Sequence, residues 1–285
     1  MKDAEMRNIY YRLSLVVIVS ILAGLLLYQS SLIKVISAVI HRQGSSHGVC
    51  VPFFSLFFLW IKIDVLKKIE PEYSFWGLFV IIPGILPIIF SINNFQLHFI
   101  GYIFFISGLI LTILGKRFFK QIAFPLFFLI AMTPLPENLY EAVANYSRHI
   151  ALGGALKIIS FFGIPYIKEG WVIQLPNVAL RISIGCSGIR YLISYVVFGL
   201  AYAWLYKSTL KGRLLVIALT IPISHLAGIF RLTAIFTIAH TFGPHMAAHR
   251  PHIIISWSVF FIVLIACIAV DQCLQERRIT KSPCH

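Results

Sequence analysis

Gly185-Cys186-Ser187-Gly188-Ile189-Arg190 closes a polar segment and opens an apolar run, about 187–206, of the length a membrane helix needs. The stretch decides two things at once. It marks a chain built of apolar helices, and it puts a nucleophile at the end of one of them. Runs of the same kind recur along the sequence, which is 59% hydrophobic and only 12% charged over 285 residues. A soluble domain of that size has too little interior for so much apolar surface, so the chain reads as an all-α polytopic membrane protein, a single integral membrane domain over residues 1–285.

Hydropathy predicts eight spans, at about 13–29, 49–65, 73–92, 97–115, 121–134, 187–206, 213–238 and 253–271. The first lacks a small-residue cleavage site and reads as a retained helix, not a signal peptide. Ser30 to Ile40 is apolar but brief and reads as an interfacial piece of the first outer loop. Pro83 and Pro87 interrupt the third span, which membrane helices tolerate where neighbours satisfy the freed carbonyls. Of 24 basic residues, fifteen fall in five alternate segments: Lys2, Arg7, Arg12; Lys62, Lys67, Lys68; Lys116, Arg117, Lys120; Lys207, Lys211, Arg213; and Arg277, Arg278, Lys281. The positive-inside rule makes those segments cytoplasmic, and both termini with them. The formal charge of +14 is thereby mostly a topology signal, and no nucleic-acid partner is expected.

The one large segment outside the spans is the outer loop 135–186. It opens on Pro134-Leu135-Pro136-Glu137 and carries an amphipathic helical pattern from Glu141 to Phe162. Two alternating runs follow, Trp171 to Leu175 and Leu180 to Ile184, separated by Pro176-Asn177, which predict a pair of short strands. The second strand is expected to deliver Cys186 to the start of the sixth helix, where the helix amino terminus favours a thiolate.

Of the five cysteines, Cys267, Cys273 and Cys284 lie toward the cytoplasmic side, leaving Cys50 and Cys186 near the outer face. Cys186 reads as a reactive thiol, a disulfide partner of Cys50, or a buried inert thiol. Ser187 and Gly188 beside it favour the first, because small neighbours leave room for a substrate backbone. Arg231, in Ala227-Gly228-Ile229-Phe230-Arg231-Leu232-Thr233, sits inside the seventh span about seven residues, or roughly 10 Å, below its outer end. An intramembrane arginine faces a polar cavity or partner, or else snorkels toward headgroups. Arg190, four residues after Cys186, reads either as support on the same helix face or as an interfacial anchor.

A loop with four histidines, His240, His245, His249 and His252, leads into the eighth span. His245 and His249 have i,i+4 spacing, but no His-Glu-x-x-His pattern supplies a general base, and no metal or cofactor is expected. His252 heads the last helix, where it approaches the level of Cys186 and Arg231. A nucleophile, a charge stabiliser and a base therefore arrive from three helix ends. Two other classes are kept beside this reading of a nucleophilic site. One is a non-enzymatic polysaccharide-export or transporter component, and the other is a metal-handling membrane protein built on the 240–252 histidine loop.

Cys186-Ser187-Gly188-Ile189-Arg190 after a short strand, an arginine within the following helix, and His252-Ile253-Ile254-Ile255-Ser256-Trp257-Ser258-Val259-Phe260 resemble the exosortase/archaeosortase family. Phe124-Pro125-Leu126-Phe127-Phe128-Leu129, Pro134-Leu135-Pro136 and Gly163-Ile164-Pro165 are similar to that family's upstream landmarks. The resemblance runs from about Tyr73 to Val270. It implies a membrane cysteine peptidase and transpeptidase with Cys186 as nucleophile, Arg231 as charge stabiliser and His252 as base or acid. Arg190, Ser187 and Gly188 are supporting positions. The implied partners are exported proteins whose carboxy-terminal sorting signal joins a PEP-CTERM-like motif, a membrane helix and a basic tip. An exopolysaccharide or other envelope acceptor and the lipids of the cytoplasmic (inner) membrane complete the set. Two positions depart from the family pattern: Gly228 stands where many members have Asn, and Ser256 where many have Gly.

Overall fold

In the computed structural model the described residues are 2–41, 45, 47–90, 92–243 and 249–280; of these, 2–17, 19–21, 186, 249–253, 270 and 273–280 are described by their backbone alone. They form two compact units, 1–136 and 137–285.

The first unit opens with α1, Lys2–His41, a continuous helix of 40 residues and hence about 60 Å. The expected break after residue 29 is absent. Ser30 to Ile40 continues the helix, because Tyr28, Val35 and Val39 fall on one buried stripe, with Val35 and Val39 packed against Phe99 and Ile103 and Tyr28 against Tyr102 and Phe105. α2, His47–Ile61, and the short α3, Ile63–Leu66, follow. α4, Trp76–Ile89, is shorter than the predicted third span. α5, Phe95–Phe128, is two arms broken at Gly115, whose φ of 81° a residue with a Cβ adopts only under strain. The arms fold back on one another: Phe104 and Phe127 stack edge to face at 5.3 Å, and the Gln96 side-chain amide donates to the Pro134 carbonyl at 2.9 Å. The expected spans 97–115 and 121–134 are thus two passes of one helical hairpin, the second ending in a 3-10 turn, Leu129–Met132.

Glycine sets the distance between α4 and the first arm of α5. A Cβ on Gly84 would lie 2.7 Å from the Phe105 nitrogen, and one on Gly108 would lie 2.6 Å from the Gly77 carbonyl oxygen. In an apolar surround, where burying one hydrocarbon surface against another gains little over lipid, such backbone approach is what drives helix association. Neighbours also bond carbonyls of the proline-bearing α4: Tyr28 donates to Gly84 at 2.6 Å, and Ser31 donates to His98, whose other ring nitrogen donates to Pro87 at 3.0 Å.

The second unit contains α6, Glu137–Phe161, a three-stranded antiparallel sheet, and three long helices, α7 (Ile189–Tyr206), α8 (Leu210–Phe242) and α9 (His249–Thr280). The sheet has three strands where two were expected. β1, Ile167–Glu169, pairs with β2, Val172–Leu175, which pairs with β3, Val178–Arg181, in the register Val172 to Arg181. β3 ends earlier than the predicted run because the chain tightens into a 3-10 turn at Ile184–Cys186. Alternation along β2 buries Ile173 and Leu175 against Ala151, Leu152, Ala155 and Ile159 of α6 and Leu232, Phe236 and Ala239 of α8.

Helices α7 and α9 run parallel. Tyr191 donates to the Ser256 carbonyl at 2.7 Å, Tyr195 to that of Phe260 at 3.0 Å, and Tyr202 to the Asp271 carboxylate at 2.6 Å. Lys207 closes the far end on the same carboxylate at 2.7 Å. Among the described residues, four helices are long and apolar enough to cross a membrane, one of them the α5 hairpin, and α2, α4 and Ile254–Ala269 are shorter apolar helices. The chain is a mostly helical, multi-pass membrane protein.

Candidate active site

The site is set by where α8 stops facing lipid. From Leu214 through Leu215, Leu219 and Leu226 to Phe230, large apolar side chains stand exposed on this helix. Beyond Phe230 the helix is clad by α6 and the sheet, with Leu232, Phe236 and Ala239 buried under them. Arg231 lies twenty-one residues after Leu210, about 31 Å along the axis, and a hydrocarbon layer is about 30 Å thick. The predicted span 213–238 is corrected accordingly. The helix runs on to Phe242, and its carboxy-terminal part is protein-covered, so Arg231 stands at the edge of the lipid-facing band and not deep within it.

Arg231 is 5% exposed. Its guanidinium carbon lies 5.3 Å from the ring centroid of Tyr191, in the first turn of α7. One turn earlier on α8, Gly228 meets the backbone of Gly188, where a Cβ built on Gly188 would lie 3.6 Å from the Gly228 Cα. This contact gives the Gly228 departure a physical account. The position faces the backbone of the turn that carries Cys186, and a Cβ there would also meet Ala151 at 3.5 Å, so a small residue fits where a long one would have to find room.

The turn itself is built by short-range bonds. Ser183 is extended, Ile184–Cys186 forms one 3-10 turn, and the Ser187 N–H donates to Ile184 O at 3.0 Å. Gly188 then takes φ 80°, and α7 begins at Ile189. The Ser187 hydroxyl accepts from the Ile189 N–H at 3.3 Å and is 1% exposed. Ser187 and Gly188 are therefore packed positions that shape the turn; they do not leave open room beside it. The left-handed Gly188 also separates Cys186 from α7, so Arg190, which is exposed, does not share a helix face with Cys186 as the spacing predicts.

His252 lies in the first turn of α9, four residues before Ser256. The Tyr191–Ser256 and Tyr195–Phe260 bonds both bridge 65 residues, so the amino-terminal ends of α7 and α9 lie at the same end of the pair. Cys186 directly precedes α7, Gly228 of α8 packs on the turn that follows it, and His252 stands in the first turn of α9. The side chains of Cys186 and His252 lie outside the described residues. Cys50 carries a free thiol. His240, in the last turn of α8, offers its carbonyl to the Asn177 side chain at 3.3 Å. His245 lies outside the described residues, and among those described no group of three potential ligands is arranged to hold a metal ion.

Two residues escape a reading by motif. Tyr191 looks like one more aromatic of an apolar run, yet it touches both α8 and α9. Arg148 sits on the stripe Ala144, Arg148, Ala151, Ala155 of α6, a charge on an otherwise apolar face, and that anomaly was the available signal. Arg148 is 9% exposed; its guanidinium stacks 3.5 Å from the Trp171 ring centroid, donates to Asn145 at 2.6 Å and reaches the Ile182 carbonyl at 3.4 Å. Burial pulls its pKa below the arginine range, from so high a start that it stays charged at neutral pH. It anchors the strand end just before the Cys186 turn, since Ile182 also donates to the Trp171 carbonyl at 2.8 Å.

A polytopic helical protein with a buried arginine and a glycine-turned loop at one end of a membrane-length helix is the class these features define. The family model described as transmembrane exosortase matches residues 39–269, and the chain belongs to that family. Membership implies a membrane protein that processes sorting signals. Neither the curated proteins nor the solved structures compared with the chain give a match.

Proposed function

We propose that this protein is a cysteine peptidase and transpeptidase of the cytoplasmic membrane, cleaving carboxy-terminal sorting signals at the extracytoplasmic face, with both termini inside. The observation that carries the reading is Arg231: a buried guanidinium, one membrane thickness from the Lys207–Asp271 end, beside the backbone turn that holds Cys186. Burying an arginine there is costly unless it serves a polar site.

His252 takes the Cys186 thiol proton, and the thiolate attacks the scissile carbonyl carbon of a substrate whose own helix lies among the spans. Arg231 stabilises the oxyanion that develops. His252 then gives a proton to the leaving amine as the C–N bond breaks, releasing the helical tail and leaving a thioester on Cys186. An amine of an envelope acceptor, or water, attacks the thioester, and the thiolate departs. The depth of the site suits a substrate whose recognition motif directly precedes a membrane helix, because the bilayer then fixes the height of the scissile bond and effective concentration replaces tight binding. Co-expression of Cys186→Ala with a reporter carrying motif, helix and basic tip tests the assignment. The expected outcome is full loss of maturation, with Cys186→Ser leaving little, and maturation at the wild-type rate would overturn it.

A further inference from the structure

We propose that Tyr191 is a positioning residue for this reaction. Its ring is the platform on which the Arg231 guanidinium rests, and its hydroxyl fastens that platform to the turn of α9 that follows His252. The proposal rests on the roles given above to Cys186, Arg231 and His252.

Tyr191 lies five residues after Cys186, in the first turn of α7, and joins three helices through separate parts of one side chain. The face of the ring meets Arg231 of α8 at 5.3 Å. Phe260 of α9 stacks on it with centroids 5.9 Å apart and planes 26° from parallel. The hydroxyl donates to the Ser256 carbonyl at 2.7 Å. A guanidinium over an aromatic face is held by the ring quadrupole, and the attraction grows as water is excluded. That matters for an oxyanion donor, whose planar fork must be held within about 0.5 Å of its working geometry. An arginine without such a platform keeps the rotamer freedom to swing toward headgroups.

The second contact fixes a different coordinate. Ser256 lies one helical turn after His252, so a bond to its carbonyl resists rotation and sliding of the α9 end against α7. Tyr191 is assigned no contact with the reacting atoms. Acting through Arg231, it affects the chemical step more than the association of a substrate held by its own membrane helix.

The test uses the full-length protein in proteoliposomes and the reporter described above. Tyr191→Leu is expected to lower kcat by about tenfold with KM changed less than about twofold, while Tyr191→Phe, which keeps the ring, loses about threefold. In the Arg231→Lys background, Tyr191→Leu is expected to cost at most about twofold more, since the platform then supports a point charge without a fork. Wild-type kcat in Tyr191→Leu, equal damage from Leu and Phe, or the same factor in both backgrounds would each overturn the proposal. Should the leucine variant fail to accumulate, Tyr191→Met fills the volume without a π face and carries the same expectations. Cys186→Ala run alongside separates the two levels: if it still matures the reporter, the catalytic reading fails whatever Tyr191 does.

Discussion

Residues 1–136 and residues 137–285 bury different things. In the first unit α4 and the first arm of α5 approach closely at Gly77, Gly84, Gly101 and Gly108, and the buried polar groups among its described residues are uncharged hydroxyls and His47. Among the described residues of the second unit two arginines are buried, each against an aromatic ring: Arg148 on Trp171 and Arg231 on Tyr191. The first unit spends its sequence on close packing, which is what stabilises helices in lipid. The second tolerates costly charge, and the tolerated charges flank one turn of chain.

The largest effect expected is on the chemistry of the second unit. Arg231→Lys removes the planar fork and is expected to slow reporter maturation by about 10²–10³-fold, read as initial rate, while the protein stays folded. An unchanged rate would make this arginine a structural residue like Arg148. Next comes the packing of the first unit: Gly108→Val drives a Cβ toward the Gly77 carbonyl and is expected to cost about 3 kcal/mol. Thermal unfolding in detergent would show it, with the sign reversed only if α4 and α5 do not pack as described.

Arg148→Met is expected to cost about 2 kcal/mol through the lost cation–π contact and the exposed Ile182 carbonyl, and to lower maturation because the strand before Cys186 loosens. Equal stability with normal turnover would remove Arg148 from any role in the site. Gly188→Ala has steric room but the wrong φ, so strain of about 1–2 kcal/mol is expected, with turnover falling further than stability. The smallest effect belongs to Lys207→Gln. Its partly exposed pair with Asp271 is expected to contribute under about 1 kcal/mol, and a shift of the melting point by more than a few degrees would argue that the pair locks α7 to α9.

Apolar run length picked out long apolar helices in both units, because transfer of side chains into hydrocarbon is a local, additive property, but the ends of α1 and α9 lie well outside the predicted runs. Where packing continues a helix past the apolar run, that rule fails. α1 absorbs the segment taken for an interfacial piece, since its buried stripe has partners along its whole length. α8 runs on beyond its lipid-facing part, since α6 and the sheet replace the bilayer as its surround. The third strand was missed for a related reason: Ile167–Glu169 is exposed throughout and carries no alternation to read.

What the amino-acid order determined by itself was the membrane class, the family, and the identities of Cys186, Arg231 and His252 as candidates, because these depend on composition, spacing and motif. Tertiary structure alone decided that Arg231 stands at the rim of the lipid-facing band, that Gly188 and Gly228 touch, and that Tyr191 and Arg148 belong beside the site. Those facts depend on which backbones approach which across separate helices, and no local pattern encodes a distance between segments far apart in the chain.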